Sequence, residues 1–410
     1  MKANALFLLT LIAFGLAGCG TPNGGINNIP PTTSEVAKPV IQPNPKADLK
    51  VDMTPGMIVV GRAVQRRNFF EALGLMQGEL KAEQARAKPR WVQVAYLKLT
   101  MGQMLGELGR HEEALEAFSA AQVFWLRRLG PEHDRVADSY VKVGVANKFL
   151  GRLAKAREHY HQALAIQIKL HGPMDARVVM SLNEIGMLHF ESGDFKKARA
   201  FHSGALAIVL ATGSRKVSTL ALLYSNLGSA CAEAGDYAQA RSFYEKILEA
   251  MERSNQLENP IVGAMYLVMA RDLARQPEPN FEEAHDLTDR AEALFLRANN
   301  PKLYPGYEHI VRGQIFHRQQ SYTKASEAFT QAAEVILGQK GGKDRLLGRV
   351  YFFQGLTKEN LGEDQQAREF LEKALAIQIK NPGPESFKTV ETQAALAALK
   401  SKGKKSRTEP

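Results

Sequence analysis

Residues 144–164 read GVANKFLGRLAKAREHYHQAL. Gly144 is followed by Gly151, by Ala156 twelve residues after Gly144, and then by Tyr160 and Ala163. The same skeleton returns along the chain. Its second small residue recurs as Ala72, Ala114, Ala156, Ala198, Ala240, Ala284, Ala325 and Ala367, at spacings of 42, 42, 42, 42, 44, 41 and 42. Twelve residues ahead of it stand Gly102, Gly144, Gly186, Gly228, Gly313 and Gly355. The heptapeptide ALAIQIK at 163–169 reappears unchanged at 374–380. Self-similarity at a fixed period marks a repeat array, in which each copy buries its apolar face against the next.

Each copy reads as two helices. The first carries apolar and small residues three to four apart, as in Tyr140, Val143, Gly144 and Asn147, which is one face of a 3.6-residue helix. Gly151, Gly193 and Gly235 stop it, because glycine takes the left-handed conformation that ends a helix. Asp194, Asp236 or Ser321 then offers a side-chain oxygen to cap the second helix. Gly-Pro, Asn-Pro or Gly-Gly pairs separate the copies, as at 130–131, 259–260 and 341–342. No stretch alternates as a strand does. The expected fold class is all-α.

These residues resemble the tetratricopeptide repeat (TPR), which places small residues at its eighth, twentieth and twenty-seventh positions, glycine at the fifteenth and an aromatic at the twenty-fourth. The common period is 34 residues; a period of 42 is similar to the long repeats of kinesin light chains and many bacterial proteins. The resemblance implies a right-handed superhelical solenoid of about seven to eight helix–turn–helix repeats over residues 57–384. A closing helix is expected over 385–400. Two copies depart from the pattern. The first, 57 to about 80, shows only its second helix, and the copy of Ala284 replaces the glycine turn with Gln276 to Asn280.

The N-terminus reads as an address. Met1-Lys2 precedes a thirteen-residue apolar stretch, Ala5 to Ala17, shorter than the roughly 20 residues that span a bilayer. It fits the apolar region of a signal peptide over 1–18. Leu16-Ala17-Gly18-Cys19 resembles the lipobox of bacterial lipoproteins, which implies cleavage before Cys19 and its acylation. Gly20, rather than Asp, implies the outer membrane where there are two, so the expected location is the cell envelope with a lipid anchor. Residues 20–55 hold seven of the 18 prolines. With 19–56 read as a disordered tether, about 36 residues reach roughly 33 Å on average.

Composition narrows the chemistry. Two cysteines in 410 residues exclude a disulfide scaffold and a multi-cysteine zinc site. The ten histidines form no His-Glu-x-x-His pattern, and His159 and His161 point to different sides of a helix. No phosphate-binding glycine loop or nucleophile elbow occurs, so the reading is non-catalytic, with no cofactor and no metal. Cys231 falls on a buried helix face. The net charge is +10. Four of those positive charges belong to a basic tail, 401–410 with Lys400, which suits weak contact with anionic surfaces. No nucleic-acid module is visible, and an exported chain does not meet nucleic acid.

Two readings of function remain. In the first, the array grips an extended peptide or protein partner in its concave groove. In the second, it is a structural adaptor or assembly factor that uses the edges of the solenoid, with the groove idle. TPR first helices line the concave side, which places Gln103, Lys142, Asn183, Asn226, Gln314 and Arg349 on the lining. Tyr96, Phe149, Tyr307 and Phe352 are interleaved among them. Amides pair with a peptide backbone whatever its side chains. The carboxylate clamp of some family members needs Lys and Arg one turn apart. Here the matching pairs are Val141 with Val145, Asn183 with Met187 and Ser225 with Ser229, so no such pocket is expected.

Overall fold

The structure is a computed structural model that describes residues 54–65, 68–213, 217–297, 306–338 and 344–405. The expected signal peptide, Cys19 and almost all of the expected tether lie outside the described residues, as do residues 406–410. Among the described residues there are 17 helices and no strand. The chain is an all-α repeat solenoid. No described helix is long and apolar enough to cross a membrane.

The first copy supplies α1 (Pro55–Gln65) and α2 (Phe69–Gln84). Its first helix, not expected from the sequence, forms because Met57, Val60 and Ala63 share one buried face. The next copies pair α3 (Trp91–Glu107) with α4 (His111–Leu129), α5 (Asp134–Phe149) with α6 (Leu153–His171), and α7 (Val178–Glu191) with α8 (Phe195–Ala211). Then come α9 (Val217–Glu233) with α10 (Tyr237–Arg253), and α11 (Pro260–Arg275) with α12 (Phe281–Arg297). The last two copies pair α13 (Tyr307–Arg318) with α14 (Tyr322–Leu337), and α15 (Asp344–Asn360) with α16 (Asp364–Lys380). The closing helix α17 runs Phe387–Lys405, past the expected end at 400.

The repeated residues explain the pairing. A Cβ at Gly102 would stand 2.6 Å from the Phe118 ring, and one at Gly144 would stand 2.5 Å from Tyr160. The aromatic of each second helix therefore occupies the space that the glycine leaves, and close packing forbids both a side chain and a ring. Asp194 accepts a hydrogen bond from Lys197 N, and Asp236 from Gln239 N. Ser321 makes no such side-chain bond. In the copy of α11 and α12 Asn280 replaces the glycine–aspartate signal and accepts from Glu283 N at 3.1 Å. Gln320 adopts φ +59° where other copies have glycine.

Contacts divide the chain into two compact units, 1–148 with 153–185, and 149–152 with 186–410. The first holds apolar clusters around Met76, Phe118 and Trp125. The second is built on clusters around Tyr244, Phe329 and Leu371. Its C-terminal segment does more than cover the last copy. Phe387 sits edge-on to Phe190 and Phe195, with ring centroids 5.9 and 5.4 Å away. The buried Ser386 Oγ donates to Glu191 Oε2 at 3.4 Å. Gly383 lies against Gly151, where a Cβ would meet the Gly151 carbonyl oxygen at 2.7 Å. Only glycine, here at φ +112°, fits that approach.

Candidate functional site

One side of each first helix is a stripe set by its buried small residue. Counting from Gly102, Gly144, Gly186, Gly228, Ala270, Gly313 or Gly355, it comprises the positions six and two before and one and five after, most of them at least partly accessible, with Glu191, Ala264 and Val311 buried. Those steps of four, three and four fall on one side of a helix. In the second unit the stripe runs through Asn226, Ser229 and Glu233 on α9, and Arg271 and Arg275 on α11. It continues through Tyr307, Gln314 and Arg318 on α13, and Arg349 and Phe353 on α15.

Five of the six expected lining residues lie on this stripe. Gln103 and Lys142 belong to the first unit, and Asn226, Gln314 and Arg349 to the second. Gln103 is exposed and the other four are half-buried. Asn183 is a correction: it is 3% exposed. It stands three residues before Gly186, the position held by Val141, Leu267 and Ile310 elsewhere, and all of these are buried. Phe352 shares that position and is likewise in the core, at 2% exposed. Its neighbour Phe353 is the partly exposed ring. One residue along a helix turns the side chain by about 100°, which is enough to move it from lining to core.

Charge concentrates where α9, α11 and α13 meet. Arg275 donates from both terminal nitrogens to Glu233, at 2.9 and 2.8 Å. Arg271 Nε donates to Asp272 Oδ1 at 2.8 Å, and Tyr244 Oη to Asp272 Oδ2 at 3.1 Å. Burial alone would raise the Glu233 carboxyl, but the Arg275 fork and the nearby Arg271 and Arg349 charges hold it at about 2. Arg318 Nε donates to the Ala274 carbonyl at 3.2 Å. Arg349 pairs with Glu391 of α17 at 3.0 Å and lies 4.5 Å over the Phe353 ring. The result is a network in which Glu233, Asp272 and Glu391 each engage an arginine, with aromatic neighbours.

Sequence reasoning missed Glu233, Arg271, Arg275 and Arg318. The signal was present: Glu191, Glu233, Arg275 and Arg318 occupy one repeat position at spacings of 42, 42 and 43. Arg271 and Arg275 stand one turn apart, as a carboxylate clamp requires, yet Asp272 and Glu233 already engage them. In the first unit, Glu184 accepts from Lys148 at 2.5 Å and from Tyr160 Oη at 3.0 Å.

Among the described residues no group of three or more His, Cys, Asp or Glu side chains could hold a metal. Cys231 is fully buried, and burial pushes its thiol up to about 11, far from a reactive thiolate at neutral pH. The cleft lined by Tyr237, Tyr244 and Asp272 encloses about 10 Å³, room for one water.

Comparison with known proteins agrees with the geometry. A tetratricopeptide repeat family model matches residues 93–169, 135–211, 177–253 and 309–380, more than half of the chain. No curated protein sequence matches it. Among solved structures the chain is similar to aspartyl phosphate phosphatase F from Bacillus subtilis, with 13% identity, 82% of this chain and 86% of that one covered, and a TM-score of 0.56. It is similar to a Rap protein complexed with competence and sporulation factor, at 13% identity, 80% and 98% coverage and a TM-score of 0.56. Repeats of a putative kinesin light chain from Podosopora anserina match at 20% identity, over 50% of this chain and 97% of that one, with a TM-score of 0.44. At such identities the likeness is one of fold. The chain belongs to the tetratricopeptide repeat family, with a repeat of about 42 residues.

Proposed function

We propose that this chain is a non-catalytic interaction scaffold, held at the bacterial envelope by lipid on Cys19, whose first-helix stripe takes an extended segment of a protein partner. One observation carries the reading. The stripe keeps amide, guanidinium and aromatic groups within reach of solvent, while Val141, Leu267, Ile310 and their equivalents are spent on packing. Amides and guanidinium forks suit backbone carbonyls and acidic side chains, and partly exposed rings add apolar contact. A Rap protein of the same fold is described in complex with competence and sporulation factor, which supports a ligand-holding use of such arrays. The lipid anchor rests on the sequence at 16–19, and the outer membrane on Gly20.

A photo-crosslinking residue at Gln314, compared with one at Lys197 in intact cells, tests the groove. Capture of a protein from Gln314 and not from Lys197 is expected. The double variant Asn226→Ala with Gln314→Ala should fold normally and bind that protein at least tenfold more weakly, about 1.4 kcal/mol. Capture from Lys197 alone would move the interaction to the edges of the array and favour the adaptor reading. Cys19→Ala should abolish incorporation of labelled fatty acid.

A further inference from the structure

The second helices carry a pattern that packing leaves unexplained. Twelve residues after the packing alanine, near the helix C-terminus, stand Leu210, Leu296, Leu337 and Ile379 of the second unit. They are 56%, 74%, 63% and 45% exposed. The next position holds Arg297 and Lys380 in two of these copies, and Arg253, 81% exposed, in the copy between Leu210 and Leu296. Basic residues at helix C-termini complement the helix dipole in any protein. Large aliphatic side chains left in water at one repeat position do not have that explanation.

Equivalent positions of stacked copies fall in a row along the array. The row is interrupted by Glu252, and its leucines project singly from separate helix ends. A protein interface needs a contiguous, shape-matched apolar centre. A lipid headgroup layer needs neither continuity nor shape, and it accepts isolated aliphatic side chains flanked by cations. The tether adds a second argument. A body held on average within about 33 Å of a bilayer meets it at high effective concentration, so individually weak contacts suffice.

We infer that this row is a membrane-facing fringe, with Leu210, Leu296, Leu337 and Ile379 entering the interface of an anionic bilayer while Arg253, Arg297 and Lys380 pair with its headgroups. The inference rests on the envelope-anchored reading above. It orients the second unit, with the second-helix C-termini toward lipid and the N-termini toward water.

The test uses the full chain anchored to vesicles of phosphatidylglycerol and phosphatidylethanolamine. An environment-sensitive fluorophore is placed at Leu210→Cys, Leu296→Cys or Lys197→Cys. Residues 197 and 210 sit at opposite ends of α8, about 20 Å apart, and Cys231 is fully buried. Iodide should quench the labels at 210 and 296 at least threefold less than the label at 197, and phosphatidylcholine vesicles should remove the difference. Equal quenching at all three sites, on vesicles shown by flotation to carry the chain, overturns the fringe. Protection that appears only when a protein partner is added overturns it in favour of a protein interface. Failure to float would refute the anchor instead. The same labels on a Cys19→Ala chain, over excess vesicles, then decide the fringe by the same comparison.

Discussion

At the scale of single residues, His202 stands where other copies place Phe118, Tyr160, Tyr244 and Phe329. Its presence in an aromatic slot is visible in the sequence. Its electrostatic situation is not, because that depends on the helices closing round it. The ring is fully buried against Gly186, neither nitrogen has a hydrogen-bond partner, and burial lowers its pKa to about 4. A folded-state pKa below the ordinary 6.5 means that the unfolded chain takes up the proton first. The stability of the neutral ring is intact above pH 6.5 and is lost as the pH falls toward 4, to a total of about 3 kcal/mol. His202→Phe keeps a ring in the slot and removes the titration. The fall in melting temperature between pH 7 and pH 4.5 should therefore be smaller in the variant. An unchanged fall would place the acid sensitivity elsewhere.

At the scale of elements, α9 and α11 are joined by a partly buried set of charges, and alternating the sign of its members keeps it stable. Removing one member strands its neighbour. Asp272→Ala leaves the Arg271 guanidinium, whose side chain is 18% exposed, without its carboxylate, and a broken buried pair costs about 3–5 kcal/mol. Arg253→Ala removes an 81% exposed partner of Glu249 and should stay within about 0.5 kcal/mol. Urea titration of the two variants should separate them, and equal midpoints would show that the network carries no stability. The helix pairs themselves were legible, since glycine turns, caps and the 42-residue spacing each mark a boundary. The site was legible only in part. In the sequence the sign of lining is neighbourhood to a small residue, and that rule admits Asn183 and Phe352 as readily as Gln314. The four-position stripe, with Arg271, Arg275 and Arg318 on it, separates them.

At the scale of the whole molecule, the second unit's closure left no trace in the sequence. Phe387, Ser386 and Gly383 occur once each in a segment without period, and their partners at 190–195 and 151 are themselves ordinary repeat residues. A terminal helix reads as a cap on the copy before it, and nothing local tells of a second surface. Phe387→Ala should release the segment while leaving helix content unchanged. Amide exchange over 149–152 and 190–195 should then rise at least tenfold, and unchanged exchange there would show that the aromatic contact is incidental. The closure also bears on the order of folding. Stacked copies form by contacts between sequence neighbours, which are fast because little chain must be gathered. The Ser386–Glu191 contact joins residues 195 apart, and bringing such ends together in a loose chain is entropically unfavourable. It becomes accessible once the intervening copies have stacked and carried the segment into place. Refolding of the second unit should therefore end in one slow, nonlocal step, seated at Phe387, after a series of rapid local ones.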